Sequence, residues 1–186
     1  MPLSSHLTIK CLSLDTLHDL HLGVYNAYGC SALWAEDIYQ TASTSKSDSL
    51  EQGILMMRAD LFTWYKKQKR SNPRQPLQEL QDLRVTMLGT EARPSLATKA
   101  AETGALLGFC SHLMEQHHAK VGEQGAYLRQ VGRALVSARD LMGACGTNMT
   151  RHECEQLCGH ARRAFSLREQ AGIPFTPKWH LFLHIC

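Results

Sequence analysis

Residues 50–64 read LEQGILMMRADLFTW. Apolar side chains at Leu50, Ile54, Met57, Leu61 and Trp64 recur at steps of 4, 3, 4 and 3. Those steps follow one face of an α-helix, whereas a half-buried strand alternates every second residue. The spacing therefore predicts an amphipathic helix that buries this stripe. Upstream, TASTSKSDS at 41–49 reads as a loop, and Asp48, three residues before Glu51, has the pattern of a capping box. Downstream, Pro73 and Pro76 in KKQKRSNPRQP stop the helix.

The same period recurs along the chain. A helix over about 95–119 carries Leu106, Phe109 and Leu113, and another over about 123–143 carries Leu128, Val131, Leu135, Ala138 and Met142. Thr150 with Glu153 forms a capping box for a helix whose stripe is read as Cys154, Cys158, Ala161 and Phe165, ended by Gly172 and Pro174. Thr176-Pro177 opens a last helix with proline at its favoured first position. Asp15 to about Gln40 is expected to be helical with a break near Gly29, and 77–88 a short helix. LTIKCLSL at 7–14 reads as the single strand. The expected fold is mainly α, a bundle-like array of about six or seven helices with one short N-terminal strand. One strand cannot make a sheet, so the chain is expected to be a fragment of a larger α/β domain.

Composition narrows function. The chain has 186 residues, enough for one domain with a sizeable core. Charged residues are 20% and the net charge is +3, so nucleic-acid binding needs a local patch rather than a global field. Seven cysteines, an odd number without a framework, fit a reduced intracellular chain. Residues 1–15 lack the basic start and long apolar core of a signal peptide, and no apolar run approaches the ~20 residues of a membrane span. Without a secretory signal, the glycosylation spacing of Asn148-Met149-Thr150 carries little meaning. The closing stretch KWHLFLHIC stops in mid-pattern, which again reads as a piece of a longer protein.

Several groups could carry chemistry, and each has a plainer alternative. Asp15 follows the expected strand and His18 lies one turn later, an arrangement that can expose a metal-binding acid; Asp is equally a favoured helix cap. His18-Asp19 with His117 or His118 and Asp140 could form an all-helical His-Asp phosphohydrolase site, if distant helices converge. His152, Cys154, Cys158 and His160 are zinc-ligand types, but each His lies about 200° around the helix from its nearest Cys, so buried free thiols are expected instead. Cys110, His112, His117 and His118 read as a core cysteine with surface histidines. Lys66, Lys67, Lys69, Arg70 and Arg74 follow Trp64 and Tyr65 and suit a nucleic-acid backbone, or merely a solvated helix end. His180 and His184 share a helix face, with no acid between them.

Two of these stretches resemble a family when taken together. DTLHDLHLGVY, with Asp15, His18 and Gly23, resembles the D-x-x-H-x-x-x-x-G signature of eukaryotic cut-and-paste DDE-type DNA transposases with an RNase H-like catalytic domain. TPKWHLFLH, with Lys178, His180 and His184, resembles the Pro-Lys-x-His-x-x-x-His segment that follows a helical insertion in such proteins, and LGTEARPSLATKAAETGALLGF resembles the start of that insertion's second half. The resemblance implies residues 1–40 as a remnant of the catalytic core, 41–174 as an insertion-like helical region and 175–186 as a truncated His-motif segment. It implies Asp15 and His18 as catalytic positions, with Asp15 the second of three acids that hold two Mg or Mn ions. The other two acids have no counterpart in this chain. The expectation is therefore a nuclear transposase remnant, inactive alone, with no metal bound and no membrane. Its partners would be DNA, the remainder of the catalytic domain or a second copy. The alternative is a non-enzymatic helical protein-interaction module, which explains the capped amphipathic helices equally well.

Overall fold

A computed structural model describes residues 16–35, 46–73, 77–90, 93–145 and 148–184. Thr16–Tyr25 winds as a π-helix and runs into helix α1, Asn26–Leu33; Tyr25 at the junction keeps helical angles, φ −69° and ψ −35°. Then come α2 (Lys46–Ser71), α3 (Ala100–His117), α4 (Gly122–Ala144), α5 (Arg151–Leu167) and α6 (Pro177–His184). The fold is mainly α, as the periodicity predicts. The strand expected at 7–14 lies outside the described residues. Between α2 and α3, β1 (Gly89–Thr90) pairs antiparallel with β2 (Arg93–Pro94).

The core forms around α3. Leu106, Leu107, Phe109, Cys110, Leu113 and Met114 are all buried, because the π-helical segment and α1 pack on it as well as α4. The α4 stripe Leu128, Val131, Leu135 and Ala138 is buried between α3 and α5, with Met142 half-buried at its end. On α2, Ile54, Met57, Leu61 and Trp64 are buried as the spacing predicts, and the Trp64 ring meets Phe109 edge-on at 6.1 Å between centroids.

The expected helix ends at α5 are present. Thr150 Oγ1 accepts from the Glu153 N–H at 3.3 Å, and the Glu153 carboxylate accepts from the Thr150 N–H at 2.6 Å. Beyond its last turn Gly172 takes φ +65°, and the N–H of Ile173 reaches the carbonyl of Arg168 at 2.9 Å. That is the closing geometry glycine permits most readily.

Four local expectations are corrected. Residues 77–84 are not helical, and their polar groups find tertiary partners: the Leu80 N–H donates to the Tyr65 hydroxyl at 3.1 Å, and Asp82 pairs with Arg58 at 2.9 Å. Only Val85–Met87 makes a short 3₁₀ turn. Gly29 does not break the helix; it lies in α1 facing Leu96 and Cys110. Asp48 falls inside α2, which already starts at Lys46, so it is not the residue that caps it. The buried stripe of α5 is Leu157, Ala161 and Ala164, one residue round from the predicted one, and leaves Cys154 and Cys158 half-exposed. Both alanines are fully buried, and α5 packs on α4.

No described helix is long and apolar enough to cross a membrane.

Candidate functional site

The motif stretches sit on two elements that touch. Helix α6 packs against the π-helical segment Thr16–Tyr25 and also against α5. Pro177 opens α6, where its missing N–H costs nothing. Trp179 and Phe182 are completely buried, as are Leu20 and Val24 of the facing segment. This packing turns His180 to solvent and leaves Lys178 half-buried. The apolar side chains Leu20, Val24, Trp179 and Phe182 thus build core, while His180 faces solvent.

Asp15 lies outside the described residues. The backbone of His18 and Asp19 belongs to the π-helical segment, and Gly23 is buried in it; the side chains of His18, Asp19 and His184 lie outside the described residues. His21, to which the sequence assigns no role, is held on several sides. Its Nδ1 lies 2.8 Å from the Ala100 carbonyl, its ring stands 5.3 Å from the Tyr25 ring, and it occupies the space above Gly104. The Tyr25 hydroxyl is buried without a hydrogen-bond partner, and burial holds it well above the usual phenol range. A sequence cannot signal the contacts with Ala100 and Gly104, which lie 79 and more residues away.

The proposed His-Asp constellation does not assemble. Arg139 Nη1 reaches the Gly104 carbonyl at 3.4 Å, which puts Asp140 and its Arg139 ion pair at the start of α3. His117 ends the same helix, 13 residues or about 20 Å further along. His118 instead turns its Nδ1 to the Met114 carbonyl at 3.2 Å. His112 and His117 are half-buried, and burial is the main cause that depresses both imidazoles, with Lys67 and Lys120 respectively adding to it.

The cysteines divide by depth. Cys30 and Cys110 are buried, and burial pushes the Cys30 thiol up to about 12 and Cys110 further in the same direction. Cys145, Cys154 and Cys158 are half-exposed, and the Cys145 thiol is hydrogen-bonded to the Glu153 carboxylate. Cys154 and Cys158 are therefore not the fully buried thiols expected. Among the described residues no three His, Cys, Asp or Glu side chains are grouped as a metal site. The described residues by themselves thus do not make a two-metal centre, and Asp15 lies outside them.

The basic run ends α2. Lys66, Lys67, Lys69 and Arg70 are exposed, Lys69 pairs with Glu79 at 3.0 Å, and Arg74 lies outside the described residues. Cations there also suit the negative end of the helix dipole.

No protein-family model, no curated protein and no solved structure matches the chain.

Proposed function

We propose that this chain derives from a DDE-type DNA transposase and holds the corner where the second acid of the catalytic domain meets the Pro-Lys-x-His-x-x-x-His segment. One observation carries the reading: α6, with Lys178 and His180, lies against the segment that follows Asp15, although more than 150 residues separate them. The two stretches that carry the resemblance are thus side by side in the fold. The intervening helices act as the insertion, and the exposed Lys66–Arg70 run is the surface that meets the DNA backbone. Catalysis needs two further acids, so the chain alone cleaves no DNA. The test joins the chain to segments that supply those acids and measures Mg- or Mn-dependent DNA cleavage with and without Asp15→Ala. Cleavage that needs Asp15 supports the reading; cleavage that survives its loss leaves Asp15 a helix cap.

The second reading is a helical interaction module. It is favoured by Leu55 and Met56, which are 60% and 51% exposed on α2.

A further inference from the structure

Three half-exposed cysteines lie around the turn from α4 into α5. Cys145 is the residue that ends α4, and Cys154 and Cys158 stand one turn apart near the start of α5. The buried side of α5 is Leu157, Ala161 and Ala164, and α5 packs on α4. Glu153 and Cys154 precede Leu157 by four and three residues, so each lies within about 60° of it, one turn nearer the start of the helix. Extended by that turn, the buried side of α5 meets the end of α4, where Cys145 sits. The Cys145 thiol donates to the Glu153 carboxylate, which also accepts from the Thr150 N–H at 2.6 Å and the Thr150 hydroxyl at 2.7 Å. Cys154, the next residue, is near enough for its charge to act on Cys145.

Distances choose the pair. A regular helix holds the Cβ atoms of Cys154 and Cys158 about 5–6 Å apart. A disulfide needs about 3.5–4.5 Å between Cβ atoms, so joining these two would unwind the helix. Cys158 also stands about 6 Å further along α5 than Cys154, away from the end of α4. Cys145 lies beyond the last turn of α4, at φ −70° and ψ 141°, so its thiol can swing without disturbing a helical turn. Cys30 and Cys110 are buried and take no part.

We propose that Cys145 and Cys154 are a redox pair, a dithiol that glutathione disulfide converts to a disulfide joining the end of α4 to the first turns of α5. The Cys154 thiolate attacks one sulfur of glutathione disulfide and displaces one glutathione. Cys145 then gives up its proton, attacks the Cys154 sulfur and displaces the second. Two protein S–H bonds and one glutathione S–S bond break; one protein S–S bond and two glutathione S–H bonds form. The protein loses two electrons and glutathione disulfide takes them up. Glu153 guards the pair. Partial burial first, and this carboxylate next, push the Cys145 thiol above its ordinary value and keep it protonated. The bridge replaces the bond from Cys145 to Glu153 and locks the turn between two packed helices. This inference does not rest on the transposase reading.

Peptide mapping of the full chain, incubated with glutathione disulfide, tests it, with circular dichroism to show that each variant keeps its helices. Trypsin cuts after Arg139, Arg151 and Arg162, so Cys145 and Cys154 fall in separate peptides. The expected result is a linked pair of peptides 140–151 and 152–162 within one chain, lost on reduction. It persists in Cys158→Ser and disappears in Cys154→Ser. Glu153→Gln, which keeps the capping box, forms the bridge severalfold faster. A chain that gives only glutathione adducts or links between chains overturns the proposal. So does a linked pair that survives Cys154→Ser, or a Glu153→Gln variant that is oxidised no faster.

Discussion

Asn26 and Leu96 hold each other as two strands do: the Asn26 amide donates to the Leu96 carbonyl at 2.6 Å, and its Oδ1 accepts from the Leu96 N–H at 3.2 Å. One side chain thus satisfies both backbone groups of a buried residue and pins the start of α1 to the chain leading into α3. Asn26→Ala leaves the Leu96 N–H without a partner, at about 1–3 kcal/mol where water cannot reach it, while the carbonyl keeps the Thr98 N–H at 3.0 Å. The expected loss, measured by urea unfolding, is about 1–3 kcal/mol. Asn26→Asp keeps the acceptor and loses the donor, so it should retain part of that stability.

The packing of Tyr28 on Gly132 reverses two common expectations. A Cβ on Gly132 would collide with the Tyr28 hydroxyl, and Tyr28 is completely buried. Helix propensity favours Gly132→Ala by about 1 kcal/mol, but the clash opposes it, and overpacking costs about 1–3 kcal/mol. A net destabilisation is expected. The Tyr28 hydroxyl has no hydrogen-bond partner, so Tyr28→Phe should be neutral or stabilising in thermal unfolding. It should also reduce the cost of Gly132→Ala when the two are combined.

Acid sensitivity should begin with two histidines. His112 and His117 both lie below the ordinary value of 6.5, mainly through burial. The unfolded chain then binds protons before the folded one does, so stability falls as the pH drops below about 6.5. The contribution is intact above that value and is lost on passing through the folded values. Asp60 opposes the shift at both residues. Unfolding free energies at pH 7.5 and 5.5 check this, and His112→Gln with His117→Gln should flatten the difference. An unchanged pH dependence in that variant would move the effect to the carboxylates.

If the end of α2 meets DNA, the contact is with phosphates. Binding to duplex DNA should then be weak, indifferent to sequence and steeply salt-dependent. Replacing Lys66, Lys67, Lys69 and Arg70 with Gln should reduce the slope of log K against log salt by roughly 3 to 4, at about 0.9 per phosphate. Lys69 already pairs with Glu79 and should contribute least. An unchanged slope would make the run an ordinary solvated helix end.

Patterns that repeat locally were legible in the chain, and pairings made at a distance were not. The stripes on α2 and α4, the Thr150–Glu153 cap and Pro177 each depend on residues within a few turns, and each appears where the spacing predicts it. Residues 77–84 look helical from local propensity, but Tyr65 and Arg58 capture their polar groups and hold the chain open. The α5 stripe was misread by one position, because cysteine and phenylalanine outrank alanine in hydrophobicity while close packing selects the alanines. The contact of His21 with Gly104 and Ala100 had no local signal. The packing of α6 on Thr16–Tyr25 likewise had no signal in any periodicity.

If Asp15 and His180 border one place, as proposed above, Mn²⁺ should reveal it. A carboxylate with few other oxygen ligands holds such an ion weakly, so paramagnetic broadening is recorded in the histidine ring signals as Mn²⁺ is titrated into the intact chain. The account predicts that His18 and His180 broaden first, well before His160 on α5, and that Asp15→Asn removes this selectivity. Broadening that spares His180, or that persists unchanged in the Asp15→Asn variant, would contradict it.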